Sequence, residues 1–186
     1  MIDRRLFGSL ALGAAAGLAL PRAAFAGAAP NGGLYRQPWL VASCLDLTKD
    51  LAAADGAGRG FAVMWEQRDC PYCRDTHLIN FADPATVGYV RSNFDVLQLD
   101  LRGVREVIDF DGEQMEERRL ARKHAIAGTP TFQFFVPAGR SGRTEALRVD
   151  TYLKPPAFQA MFRFVRENAW HEHDFRAWLK SQGLAG

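Results

Sequence analysis

The chain has 186 residues, 48% hydrophobic and 24% charged, which is enough apolar material for one packed domain and too much for a disordered chain. Three cysteines are too few to staple a small scaffold. The formal charge is +2, but three of the basic residues (Arg4, Arg5, Arg22) and one acid (Asp3) lie in the first 26, so residues 27–186 are formally neutral and carry no basic stripe for nucleic acid.

Arg4 and Arg5 precede an apolar stretch from Leu6 to Leu20, followed by Pro21, Arg22 and Ala24-Phe25-Ala26. A charged start, an apolar middle and an Ala-x-Ala-like end make an export signal, cut after Ala26. The apolar part, about 15 residues rich in Ala and Gly, falls short of the roughly 20 that a spanning helix needs. Asp3-Arg4-Arg5-Leu6-Phe7 resembles a twin-arginine signal, with Asp3 before the pair as a departure. No cysteine stands near the cut, which argues against a lipoprotein. The chain thus divides into a signal peptide over 1–26, a flexible Gly/Ala/Asn/Pro-rich leader over 27–38 and one domain over 39–186. The mature protein is expected in the periplasm without stable membrane insertion, where thiols meet oxidising conditions.

Leu40, Cys44, Leu47 and Leu51 recur at helical spacing and predict a first amphipathic helix that buries Cys44 as a small hydrophobe. Phe61 to Trp65 is a continuous apolar run, as in a strand covered on both faces. Cys70-Pro71-Tyr72-Cys73 opens a helix, since Pro71 suits the first helical position. Asp83-Pro84 caps a helix to about Asn93, and Phe94 to Asp100 alternates as a strand. Val107 to Phe110 reads as a short strand turning at Asp111-Gly112. Gln114 to His124 reads as a helix with Glu113, Glu116 and Glu117 at its start and Arg118, Arg119, Arg122 and Lys123 towards its end, an order that suits the dipole. Thr131 to Val136 and Ala146 to Val149 are strands, separated by a Gly/Arg turn at 139–143. Phe158, Met161, Phe162 and Val165 mark a helix behind Pro155-Pro156, and Asp174 caps a last one with Phe175, Trp178 and Leu179 inward. Strands alternating with helices give an α/β layered fold.

Two cysteines three apart in an exported chain have three readings. A zinc site needs a second ligand pair, and apart from His171 and His173 the histidines are scattered. A structural disulfide across so short a loop constrains little. The favoured reading is a redox-active dithiol at a strand-to-helix junction, with no metal and no cofactor beyond the Cys70–Cys73 disulfide. Free N–H groups and the dipole at the helix start favour an anion, so Cys70 is expected to be the attacking thiolate and Cys73, one turn in, the resolving thiol. Trp65 and Tyr72 read as the wall of the site, although Trp65 reads equally well as core. Asp109-Phe110-Asp111-Gly112 echoes part of a calcium loop but lacks the other ligand positions and reads as a turn. His171-Glu172-His173-Asp174 reads as a polar connector.

The strand, the Cys-x-x-Cys and a later Thr-Pro before a strand resemble the thioredoxin superfamily. From about Trp39 to Leu179 the chain more narrowly resembles the SoxW-type periplasmic thioredoxins. The carrying stretches are Trp65 to Cys73, Leu99 to Gly103, Asp109 to Gly112, Gly128-Thr129-Pro130-Thr131 and Tyr152 to Pro155. The resemblance implies a thioredoxin-like domain over 39–186, a central mixed β-sheet flanked by α-helices with extra N- and C-terminal helices. It implies a cis peptide before Pro130, which faces Cys70 across a groove, with the Thr129 backbone offering hydrogen bonds to a bound substrate segment. It further implies a monomeric reductase of protein disulfides that serves sulfur-oxidation proteins and is recharged by a membrane dithiol donor. The superfamily's buried acid, six residues before the first cysteine, is Met64 here. Glu66 is the nearest acid, either the proton acceptor for the resolving thiol or a solvated residue at a strand end. Thr151 stands where a glycine often precedes the aromatic of the last strand, here Tyr152. A glutaredoxin-like enzyme, a DsbA- or DsbC-like oxidant or isomerase, and a non-catalytic binding module remain as alternatives. Pro137-Ala138-Gly139-Arg140 does not match a glutathione-binding element.

Overall fold

The computed structural model describes residues 33–138 and 143–184. The export signal over 1–26, the first part of the leader and residues 139–142 of the expected turn lie outside the described residues. In chain order the elements are α1 (Leu47–Gly56), β1 (Gly60–Glu66), α2 (Pro71–Leu78), α3 (Pro84–Asn93), β2 (Phe94–Asp100), β3 (Glu106–Ile108), β4 (Gln114–Glu116), α4 (Glu117–Lys123), β5 (Thr131–Val136), β6 (Thr144–Val149), α5 (Pro155–Arg166) and α6 (Phe175–Ser181). The main sheet runs β2-β1-β5-β6, with β1 parallel to β2 and the other pairs antiparallel. It is the central mixed sheet of a thioredoxin-like fold. Among the described residues no helix is long and apolar enough to cross a membrane.

Alternation along β1 sorts the core into two layers. Ala62 and Met64, with Phe132 and Phe134 of β5, pack against α3, α5 and α6. Phe61, Val63 and Trp65, with Leu97 and Leu99 of β2, pack against α1, α4 and the β3–β4 hairpin. Every β1 side chain from Phe61 to Glu66 is buried, as its apolar run requires. Phe158 and Phe162 of α5 meet Phe132 edge-on at 5.5 and 6.0 Å between ring centres, an arrangement aromatic quadrupoles favour. Asp46, Asp83 and Asp174 each cap a helix by accepting a backbone N–H three residues on.

Three expectations are corrected. The first helix does not include Leu40 or Cys44. Leu45 adopts a left-handed φ of 61° and Asp46 caps the helix after it, so Cys44 precedes the helix as an exposed free thiol rather than core. Gln114 to Glu116 are strand, not helix, because buried Met115 pairs across the hairpin with buried Val107; the helix is only Glu117–Lys123. The leader is not wholly loose. Gln98 Nε2 donates to the Tyr35 carbonyl at 2.6 Å, and Gln37 Nε2 donates to the His77 carbonyl at 3.3 Å, which binds residues 35–37 to β2 and α2.

The turn at Asp111-Gly112 holds a cation of its own. Lys123 Nζ lies 2.8, 2.5 and 3.0 Å from the carboxylates of Asp109, Asp111 and Glu113. Burial pushes the Asp109 carboxyl up, but hydrogen bonds from His124 and Lys123 more than offset it, holding it well below the usual carboxylate range. At the sheet margins, the Val41 N–H donates to the Val96 carbonyl on β2 at 3.1 Å. On the other side, a register shift between Phe134 and Phe135 bulges the β5–β6 ladder, and Glu145 pairs with Arg148 on β6 at 2.6 Å.

Candidate active site

β1 ends at Glu66, and four residues later the chain turns into α2. Asp69 takes a left-handed φ of 57°, and Cys70 is the N-cap of the helix with Pro71 as its first residue. The cap is made by sulfur: the Cys73 N–H donates to Cys70 Sγ at 3.1 Å. Cys70 and Cys73 form a disulfide with Cα atoms 5.2 Å apart. Cys70 is 9% exposed and Cys73 2%, so a partner reaches the first sulfur before the second. A helix start offers unpaired N–H groups and the positive end of the dipole, both of which stabilise a thiolate at Cys70.

The Thr129-Pro130 peptide is cis. It brings Thr129, distant in sequence, to the dithiol. Thr129 Oγ1 lies 3.4 Å and its carbonyl oxygen 3.5 Å from Cys70 Sγ. On the solvent side Tyr72 is 58% exposed and stacks on Tyr152 with ring centres 5.5 Å apart. The pair lines a cavity of about 660 Å³ with Leu153, Lys154 and Pro156. Burial and the Asp75 carboxylate push the Tyr152 phenol above its ordinary value. On the opposite side of the loop, Arg68 and Asp69 line a second cavity of about 600 Å³ with Arg36, Gln98, Arg102 and Arg105.

Trp65 does not belong to this wall. It is fully enclosed on the α1–α4 side of the sheet, and its Nε1 donates to Gln133 Oε1 at 2.7 Å. Strand parity explains the difference: Trp65 shares its face with Phe61 and Val63, while Glu66 shares the opposite one with Ala62 and Met64.

Glu66 is not a solvated strand end either, being 1% exposed. Its two carboxylate oxygens lie 2.9 and 3.0 Å from His77 Nε2, and the Gln98 amide donates to the same carboxylate. Tyr35 stacks on the His77 ring at 5.9 Å, and Phe81 meets it edge-on at 5.7 Å. Met64, at the superfamily's acid position, lies wholly within the apolar layer. Sequence reasoning missed His77, Gln98 and Tyr35. One signal was available, that His77 stands four residues after Cys73 on one predicted helix; Gln98 comes into reach only through the β1–β2 register, which pairs it with Met64. His171 and His173 are exposed in the connector before α6. Among the described residues no group of three or more His, Cys, Asp or Glu side chains could hold a metal ion.

A model of the thioredoxin-like domain family matches residues 47–166. Among solved structures, a thioredoxin-fold protein from Helicobacter pylori aligns with a TM-score of 0.53 at 15% identity, covering 70% of this chain and 88% of its own. A thioredoxin from Thermus thermophilus aligns with a TM-score of 0.51 at 25% identity, covering 68% of this chain and 92% of its own. No curated protein matches the sequence.

Proposed function

Because the chain belongs to the thioredoxin-like domain family, we propose that it is an exported thiol:disulfide oxidoreductase that reduces disulfides of periplasmic proteins. The observation that carries this reading is the Cys70–Cys73 disulfide at the start of α2, with the more exposed sulfur capping the helix beside Thr129. The Cys70 thiolate attacks one sulfur of the partner's disulfide. A mixed disulfide forms and the partner's other sulfur leaves as a thiolate. Cys73 then attacks Cys70 Sγ, the Cys70–Cys73 bond forms, and the partner leaves reduced.

Thr129, Pro130 and Tyr72 make the substrate contacts in this proposal, since Thr129 meets the Cys70 sulfur and Tyr72 is the exposed ring of the dithiol turn. Glu66, a buried carboxylate in contact with the His77 ring, belongs to the group that handles the proton Cys73 gives up. The protein acts as a monomer, needs no cofactor beyond its own disulfide, and is recharged by a membrane dithiol donor. The stretches resembling SoxW-type thioredoxins extend the proposal to sulfur-oxidation proteins as partners.

The test is a trap. Cys73→Ser, expressed in the periplasm of the native host, should leave Cys70 covalently joined to its substrates on a non-reducing gel, and Cys70→Ser should capture nothing. Adducts with a few sulfur-metabolism proteins support the reading. A broad set of folding clients points to an oxidant or isomerase, a glutathione adduct to a glutaredoxin-like enzyme. Capture that needs Cys44 instead of Cys70 refutes the mechanism at its first step.

A further inference from the structure

His77 is fully enclosed, and only one of its ring nitrogens is satisfied. Nε2 faces the Glu66 carboxylate, while Nδ1 is buried and has no hydrogen-bond partner among the described residues. A buried polar atom left unpaired is costly, and such atoms survive where a function uses them. The tautomer follows from the neighbours. The Gln98 amide donates to the Glu66 carboxylate, and we take that carboxylate as acceptor of the Nε2 hydrogen of the ring as well. Nδ1 of the neutral ring is then a bare lone pair.

Cys73 and His77 stand four residues apart on the buried side of α2. Side chains at that spacing are neighbours, and a helical side chain leans over the turn N-terminal to it, which for His77 is the turn of Cys73. We propose that His77 Nδ1 accepts the Cys73 proton when the mixed disulfide is resolved, with Glu66 as the positioning residue that holds the ring through Nε2. This rests on the oxidoreductase reading and deepens it. In the step, the Cys73 S–H proton passes to Nδ1 and the Cys73 sulfur attacks Cys70 Sγ. The Cys70–Cys73 bond forms, the bond from Cys70 to the partner's sulfur breaks, and its electron pair leaves on the partner's thiolate. The partner's disulfide is the oxidant, so no other reagent is needed. The imidazolium is held by the adjacent carboxylate and later returns its proton to solvent. The groups that contact His77 are Glu66 from β1, the Gln98 amide from β2 by way of Glu66, the Tyr35 ring from the leader and the Phe81 ring after α2; Cys73 stands one turn before it on its own helix. With Met64 apolar, this pair occupies the role left open at the superfamily's acid position.

The experiment isolates the resolving step. Reduced Cys44→Ser protein, which lacks the exposed third thiol, is mixed with excess thionitrobenzoate disulfide. Loading of Cys70 releases one coloured equivalent in a phase that scales with reagent concentration. Resolution by Cys73 releases a second in a phase independent of it, which is followed by stopped flow across a pH series. His77→Gln keeps an amide that can reach Glu66 but has no Nδ1 and does not titrate. Its release of the second equivalent should slow about a hundredfold near neutral pH, the low end of a general base's contribution, and keep rising with pH where the wild type levels off. Alkylation of Cys70 in the reduced protein should stay at its wild-type rate, because the first step does not use the imidazole. Wild-type release with a wild-type pH profile in His77→Gln overturns the proposal. If that variant does not fold, Glu66→Gln serves. It keeps an acceptor for Gln98 but frees the ring tautomer, so it too should slow release and shift the profile; an unchanged profile overturns the proposal. A wild-type protein that releases no thionitrobenzoate overturns the oxidoreductase reading itself, an outcome distinct from a variant that matches an active wild type.

Discussion

Replacing Thr129 by valine removes one donor from the Cys70 sulfur while keeping the side chain's shape and β-branch. Thr129 Oγ1 lies 3.4 Å from Cys70 Sγ, and the other donor to that sulfur, the Cys73 N–H, lies at 3.1 Å. A hydrogen bond to an ionised group contributes about 1.5–3 kcal/mol, and a long contact to a diffuse sulfur belongs below that range, at about 1 kcal/mol. Since 1.36 kcal/mol is a factor of ten in a protonation equilibrium, the loss lowers the thiolate-to-thiol ratio at Cys70 by about fivefold. Iodoacetamide reacts with the thiolate, so alkylation of Cys70 in the reduced variant should slow about fivefold in the pH range below the Cys70 midpoint, where the thiol predominates. The assay is alkylation read site by site by mass spectrometry, with Cys44 and Cys73 as internal references. A change of less than about twofold would refute the idea that Thr129 stabilises charge on this sulfur. An equal slowing at Cys73 would show that the substitution had displaced α2 instead.

Trp65→Phe should destabilise the domain by about 1–3 kcal/mol, because it removes the 2.7 Å bond to Gln133 and leaves a buried amide oxygen short of a donor. Calorimetry should show a melting temperature lower by roughly 2–12 °C, with Cys70 alkylation unaltered because the indole faces the far side of the sheet. Asp109 has its carboxyl held below the ordinary value of 3.8, so its contribution to stability is present above that value and is lost as pH falls through the depressed one. Asp109→Asn should therefore lower the urea midpoint at neutral pH and flatten its decline below about pH 4; parallel midpoint curves would refute this. Cys44 should take up iodoacetamide in the native, oxidised protein without denaturant, whereas Cys70 and Cys73 stay protected by their bond. A requirement for urea would place Cys44 back in the core.

What could be read from the sequence follows the range of the forces involved. α5 was legible because one side must be apolar at a fixed period and its residues obey it, and β5 because a strand covered on both faces reads as a nearly continuous apolar run. The start of α2 was legible because Pro71 and the cysteine before it carry their own backbone chemistry. The Gln114–Glu116 strand was not, since three residues become a strand only by pairing with Val107 across a turn. Cys44 was misplaced for a local reason that spacing cannot express. One left-handed residue, Leu45, breaks the periodicity that joined Leu40 to Leu51. The state of Glu66 was undecidable in one dimension, because its partners come from α2 and β2, eleven and thirty-two residues away.

The margins of the sheet have a consequence for how this protein meets other chains. An exposed strand edge is a template on which other chains grow. At β2 the Val41 N–H already occupies an acceptor of the outer ladder. At β6 the bulge breaks the repeat, and Glu145 and Arg148 put charge along the rim. Among the described residues neither border presents an unbroken row of free amides and carbonyls, an arrangement that works against edge-to-edge pairing between copies.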